Sequence, residues 1–127
     1  MTERRLKTTI AIIGAGDVGS TLAYTLLQNP ICTEVLLVDP KTDLLEAQVR
    51  DLGDATYGGR SATRVRAGTH KEAGQADIVV VTAGAKQKTG AHCPLLLPSN
   101  QQMLRNAILD LQCLIQPRRI TYLPLDP

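Results

Sequence analysis

The three glycines of a GxGxxG motif, Gly14, Gly16 and Gly19, constrain the fold of this chain more than any other sequence feature. The segment before them, Thr8–Ile13, is short, β-branched and apolar, which predicts a strand covered on both faces. Apolar side chains at helical spacing follow in Val18–Leu27 and predict a helix. In such a unit the first glycine permits a tight turn, the second lets a pyrophosphate approach the backbone, and the third lets the helix pack on the strand. The pattern predicts dinucleotide binding, with flavin or S-adenosylmethionine as more distant alternatives.

The rest of the chain alternates between strand-like and helix-like segments joined by short connections. Strands are predicted at residues 34–38, 63–67 and 77–82, a helix at 42–55, and a second helical stretch at 103–115. Residues 120–123 suit a strand only at its end or at a sheet edge, because Pro124 cannot donate a backbone hydrogen bond. The alternation predicts an α/β fold with a Rossmann-type, doubly wound parallel sheet of about four or five strands and helices on both faces.

An acidic residue follows the second predicted strand. Asp39 lies about 20 residues after Gly19, where a carboxylate accepts hydrogen bonds from the adenosine ribose hydroxyls of a dinucleotide. A carboxylate at this point repels a 2′-phosphate and so favours NAD over NADP, whereas the nearby Lys41 weakens that preference. The alternative interpretation is that Asp39 caps the helix that begins shortly after Pro40.

Composition excludes several classes of function. A formal net charge of +2 and three tyrosines as the only aromatic residues argue against a nucleic-acid surface. No apolar stretch reaches the roughly 18 residues of a membrane helix, and the first residues lack an apolar leader segment. The three cysteines, Cys32, Cys93 and Cys113, are too few for a disulfide framework and lack metal-site spacing. We expect reduced thiols, a cytoplasmic location, no membrane contact and no metal.

The segment Thr82–Gly90, together with Gly14–Ser20, resembles the L-lactate dehydrogenases of the lactate/malate dehydrogenase family. The likeness extends over residues 8–90, whereas residues 91–99 and 117–127 diverge from the family pattern. The resemblance implies an NAD-dependent oxidoreductase. Residues 1–127 would then form one dinucleotide-binding domain, a fragment without the catalytic domain of its relatives.

The resemblance also assigns cofactor contacts to individual residues. Val18 would line the pyrophosphate site, and Gly84 and Ala85 would form a turn that passes along the cofactor. His70 stands where many relatives have a tyrosine near the adenine, and its alternative interpretation is an exposed loop histidine. Leu44 stands where relatives carry a basic residue, so that contact is expected to be lost. The expected NAD-binding residues are Gly14, Gly16, Asp17, Val18, Gly19, Asp39, Gly84 and Ala85.

Gln87 bears on the substrate. In the lactate enzymes a glutamine at this place faces the methyl end of pyruvate, whereas in the malate enzymes an arginine pairs with the second carboxylate. Gln87 therefore favours lactate and pyruvate, bound only in a complete enzyme. A malate-type or other 2-hydroxy acid enzyme remains the alternative, as does a solvated loop amide without a substrate role.

No catalytic residue is expected in this chain. Hydride transfer to a 2-oxo acid needs a general acid, usually a histidine oriented by a carboxylate, and arginines for the substrate. Where the family pattern reads Gly-Glu-Ser/Thr-Arg, residues 90–93 read Gly-Ala-His-Cys. His92 lacks a carboxylate partner and Cys93 an activating histidine. The family's catalytic His, Asp and substrate-binding Arg would lie beyond Pro127, so we expect a truncated chain without turnover of its own. A non-catalytic NAD-binding module, a fragment that folds only on assembly, and a homo-oligomer remain open.

Overall fold

The computed structural model describes residues 7–59, 61–83, 101–102, 105–106 and 119–122 of the chain. Its elements, in chain order, are β1 Thr9–Ile13, α1 Asp17–Gln28, β2 Glu34–Val38, α2 Thr42–Ala55, β3 Arg64–Ala67, α3 His70–Ala73, β4 Ile78–Val81 and β5 Arg119–Tyr122. The predictions for β2 and α2 match these bounds, and those for β1, α1, β3, β4 and β5 differ by one residue at one or both ends. The predicted helix at 103–115 lies outside the described residues except for residues 105–106, which are helical.

The strands form one parallel sheet of five strands in the order β3-β2-β1-β4-β5. β1 is central, so that Ile12 lies beside Leu37 of β2 on one side and Val80 of β4 on the other. In chain order, β2 and then β3 are added on one side of β1. The chain then crosses back, and β4 pairs with β1 on its other side. The carboxyl ends of β1 and β4 therefore border the crevice where such sheets bind ligands. The predicted α/β class with a Rossmann-type parallel sheet is confirmed.

Both faces of the sheet are covered, which explains why its central strands are continuously apolar. One core cluster joins alternate strand residues to the helices α1 and α2; it contains Ile10, Ile12, Val35, Leu37, Ala23, Leu27, Leu45 and Leu52. The other lies on the opposite face and contains Ala11, Ile13, Leu36, Val38, Val79, Val81 and Ala73 of α3. Side chains of neighbouring residues in β1 and β2 thus point to opposite faces, and both sets are buried.

The edge strand β3 depends on charged side chains more than the central strands do. Arg66 pairs through Nε with Glu34 of β2 at 3.2 Å and through Nη1 with Glu72 of α3 at 2.8 Å. Thr69 and Glu72 form a capping box, in which the Thr69 hydroxyl accepts from the Glu72 N–H and the Glu72 carboxylate accepts from the Thr69 N–H. His70 is therefore the first, half-buried residue of α3, and its interpretation as an exposed loop histidine is wrong.

Within the described ranges, no helix is long and apolar enough to cross a membrane. The same residues contain no group of three or more His, Cys, Asp or Glu side chains that could hold a metal ion.

Candidate functional site

The turn after β1 requires glycine at its first position. Gly14 has φ +111°, a conformation that side chains with a Cβ rarely adopt. Its N–H donates to the Val38 carbonyl at 2.8 Å, which ties the turn to the end of β2. A Cβ at Gly14 would also lie only 2.8 Å from the Ala83 nitrogen and from the Thr82 hydroxyl oxygen. The turn is thus packed against the end of β4 with no room for a side chain.

Gly19 brings helix α1 against this turn. A Cβ at Gly19 would collide with the Gly14 carbonyl oxygen and lie 2.8 Å from Oγ1 of Thr82. Gly19 is buried, although it belongs to the first turn of a helix that is otherwise exposed there. The absence of its side chain lets the amino terminus of α1 approach the carboxyl end of β1 closely.

The amino terminus of α1 combines free space with unpaired donors. Gly16 is its N-cap residue and has no side chain, so no described side chain caps the first N–H groups of the helix, which start at Asp17. A Cβ at Gly16 would meet no atom of the described residues within 4 Å, and Val18 beside it is 38% exposed. Open space, helical N–H groups and the positive end of the helix dipole together suit an anion such as a phosphate.

Asp39 links β2 to the glycine turn. Its Oδ2 accepts from the Ala15 N–H at 2.9 Å, and its Oδ1 accepts from the Lys41 N–H at 2.8 Å. The N-cap residue of α2 is Lys41, without a side-chain capping bond, so the interpretation of Asp39 as the helix cap is wrong. An ionised carboxylate has about four acceptor sites, and the two that these bonds leave can accept from ribose hydroxyls.

Thr82 belongs to the site, although the sequence analysis did not identify it. Its side chain is buried. Its Oγ1 lies within hydrogen-bond distance of two carbonyl oxygens and can donate to either, that of Gly14 at 3.1 Å and that of Ile13 at 3.3 Å. The available signal was its position at the end of a predicted strand and the start of a family-like segment. A contact across 68 sequence positions leaves no local pattern.

The structure brings together the expected residues of the first two βα connections. Gly14, Gly16, Asp17, Val18, Gly19 and Asp39 lie at the carboxyl ends of β1 and β2. Leu44 is half-buried in α2. The other predicted cofactor and substrate residues, Gly84, Ala85 and Gln87, and the segment that contains His92 and Cys93, lie outside the described residues.

A cavity of about 310 Å³ opens at the opposite, amino-terminal edge of the sheet. Its walls include Thr33, whose hydroxyl donates to the Thr8 carbonyl, and Thr63, whose hydroxyl donates to the Cys32 carbonyl. These polar side chains hold the connections that precede β1, β2 and β3 to one another. The cavity is remote from the glycine turn, and the described residues that line it include no charged side chain that would bind a phosphate.

Comparison with known proteins identifies the family. Residues 8–119 match the family model described as lactate/malate dehydrogenase, NAD binding domain. Among curated relatives, L-lactate dehydrogenase A of Rhizopus oryzae is 44% identical over 122 residues, which are 96% of this chain and 37% of the relative. L-lactate dehydrogenase 2 of Lactococcus lactis subsp. lactis is 36% identical over 78% of this chain and 32% of the relative. The chain thus spans less than two fifths of the length of either protein.

Solved structures give the same family. The minor L-lactate dehydrogenase from Enterococcus mundtii, in its ligands-bound form, superposes with a TM-score of 0.86 at 25% identity, covering 94% of this chain and 38% of that one. Malate dehydrogenase from Archaeoglobus fulgidus in complex with NADH gives a TM-score of 0.81 at 28% identity, covering 93% and 40%. The expectation of NAD as the family's cofactor is confirmed. The chain belongs to the lactate/malate dehydrogenase family, and its matched residues correspond to the NAD-binding domain of that family.

Proposed function

We propose that this chain binds NAD as the cofactor-binding part of an L-lactate dehydrogenase. The observation that carries the proposal is the amino terminus of α1, where none of the described residues fills the space beside Gly16 or caps the helix with a side chain. A phosphate group there would meet the first N–H groups of α1 and the positive end of the helix dipole. Asp39, already hydrogen-bonded to the Ala15 N–H of the same turn, supplies a carboxylate one strand away.

The cofactor contacts follow from this arrangement. The pyrophosphate would lie against Gly16, Asp17 and Val18, with Gly14 and Gly19 shaping the turn beneath it.

Asp39 would accept from the adenosine ribose hydroxyls. Because both of its oxygens are held by backbone N–H groups, the carboxylate cannot turn away from an added 2′-phosphate. The repulsion favours NAD over NADP. By family resemblance, Gly84 and Ala85 would extend the cofactor contacts.

Bound NAD supplies a hydride acceptor or donor, and the residues of this chain hold and orient it. The substrate proposal is lactate and pyruvate, supported by Gln87 in place of an arginine and by the names of the curated relatives. The similarity to malate dehydrogenase from Archaeoglobus fulgidus supports a malate-type enzyme as the alternative. For the 127 residues alone we propose NAD binding without turnover, because residues 90–93 read Gly-Ala-His-Cys where the family pattern has an arginine for the substrate. The proposed location is the cytoplasm, because three cysteines are an odd and small number that suits reduced thiols and not a disulfide framework.

A titration of the purified chain with NADH, followed by nicotinamide fluorescence, tests the proposal. We expect saturable binding and an affinity for NADPH at least about tenfold weaker, equivalent to about 1.4 kcal/mol. Gly53→Ala is the matched control because Gly53 lies in α2, where an added Cβ meets nothing within 4 Å, and binding should not change. No saturation by NADH, or equal affinity for NADPH, would contradict the proposal. Oxidation of NADH with pyruvate above background would contradict the expected lack of turnover.

A further inference from the structure

The Gly14 carbonyl group is a buried acceptor with a single partner in the part of the chain that the structure describes. Gly14 is buried, and the hydrogen bond to its carbonyl oxygen comes from Oγ1 of Thr82 at 3.1 Å. A buried carbonyl without a donor is costly, because it has lost its water and gained nothing in exchange. The conformation of Gly14, at φ +111°, therefore depends on a hydroxyl group from β4's carboxyl end.

The same hydroxyl occupies the space that two missing side chains leave. Oγ1 of Thr82 lies 2.8 Å from the position that a Cβ would take at Gly14, and 2.8 Å from the corresponding position at Gly19. Both the glycine turn after β1 and the first helical turn of α1 therefore pack against this hydroxyl group. Thr82 is itself fixed, because its N–H donates to the Ile13 carbonyl at 2.8 Å.

We infer that Thr82 is a positioning residue for dinucleotide binding. Its hydroxyl holds the Gly14 carbonyl and thereby sets where the amino terminus of α1, with its first N–H groups, lies relative to β1. The inference rests on the proposed function, since it concerns the phosphate-binding end of the same site. Thr82 need not touch the ligand, because hydrogen bonds weaken steeply with misalignment and a displaced helix start misaligns several donors together.

Two variants of Thr82 separate the hydroxyl from the shape of the side chain. Thr82→Val keeps the branched volume and removes the donor, and Thr82→Ser keeps the donor and removes a methyl group. We expect Thr82→Val to raise the Kd for NADH at least about tenfold, because without its donor the Gly14 carbonyl shifts and misaligns the N–H groups at the start of α1. Thr82→Ser should stay within about threefold of the unsubstituted chain, because its hydroxyl can still reach the carbonyl.

Stability and positioning are separated by the double variant Thr82→Val with Gly53→Ala. Alanine in place of an unhindered helix glycine raises the melting temperature without touching the site. All titrations are made at a temperature where thermal unfolding curves show each chain fully folded. If Thr82 positions the site, the double variant melts at a higher temperature than Thr82→Val while its Kd for NADH stays at least about tenfold raised.

The outcomes are distinct. Unchanged NADH affinity in Thr82→Val, or affinity regained together with stability in the double variant, would overturn the inference while leaving the proposed function in place. Failure of Thr82→Ser to restore binding would also overturn it, since the hydroxyl would not be the group responsible. Absence of NADH binding by the unsubstituted chain would overturn the proposed function and this inference together.

Discussion

The carboxylate of Asp39 accepts a hydrogen bond from the backbone N–H of Ala15, with 2.9 Å between Oδ2 and the nitrogen. This bond joins the end of β2 to the middle of the glycine turn, across 24 sequence positions. The other carboxylate oxygen of Asp39, Oδ1, accepts a hydrogen bond from the Lys41 N–H at 2.8 Å. The carboxylate is therefore oriented by the protein before a ligand arrives, which lowers the ordering cost of binding.

Replacing Asp39 by alanine should weaken NADH binding more than it weakens the fold. Hydrogen bonds to a charged group contribute about 1.5–3 kcal/mol, so we expect a loss of roughly 10- to 150-fold in affinity. The preference for NADH over NADPH should shrink at the same time, because the repelling charge is gone. Fluorescence titrations with both nucleotides measure the two effects, and an unchanged preference would show that Asp39 does not discriminate between them.

Substitution should affect mainly NADH binding at Gly16 and mainly stability at Gly19. Gly16→Val enters open space at an N-cap position, so the free energy of unfolding should fall by only about 1 kcal/mol while NADH binding is lost. Gly19→Ala forces a Cβ against the Gly14 carbonyl, so the free energy of unfolding should fall by about 1–3 kcal/mol. Urea denaturation and NADH titration of the two variants measure both quantities.

The contrast between the two glycines makes this prediction sharp. Normal NADH affinity in Gly16→Val would contradict the proposed location of the pyrophosphate beside Gly16. A Gly19→Ala chain as stable as the unsubstituted one would show that α1 can move away from β1 without cost.

The sequence predicts the central strands and the glycine turn well for a physical reason. β1, β2 and β4 are buried on both faces, so each appears as an unbroken apolar run. Gly14 and Gly19 are required by local backbone geometry and close packing, and these requirements recur at fixed spacing.

Other parts of the site depend on contacts between residues far apart in the sequence, which local sequence patterns do not predict. The Thr82 hydroxyl reaches a carbonyl 68 positions away, and the partner of Asp39 is a backbone N–H whose identity depends on the turn. The start of α3 is a different case, because Thr69 and Glu72 stand at the spacing of a capping box, which is a local sequence signal for the start of a helix.

Glu72 makes part of the stability depend on acid pH. The hydrogen bond from Arg66, with that from the Thr69 N–H, lowers the pKa of the Glu72 carboxyl below its ordinary 4.5. A lowered pKa contributes stability that is present above pH 4.5 and is lost as the pH falls through the folded-state value. Glu72→Gln should lower the free energy of unfolding at neutral pH by less than about 1 kcal/mol, because the pair is exposed to solvent.

Glutamine is the informative substitution because its amide oxygen can still complete the capping box with Thr69. The difference between Glu72→Gln and the unsubstituted chain, measured by urea denaturation, should vanish once the pH is well below 4.5. It should also shrink in an Arg66→Met background, since the charge partner is then absent. A difference that is the same at every pH would assign the effect to the cap and not to the charge.

The Cys32 thiol should react slowly in the folded chain. Burial raises its pKa above the ordinary 9.0, outweighing the opposing effect of a backbone hydrogen bond from Glu34, and only the thiolate attacks a disulfide reagent. With Cys93→Ser and Cys113→Ser making Cys32 the single thiol, dithionitrobenzoate at about pH 8 should react at least about tenfold more slowly in buffer than in denaturing urea. Equal rates would show that the connection between α1 and β2 opens freely, and the packing of Cys32 against the core beside Thr63 would then be wrong.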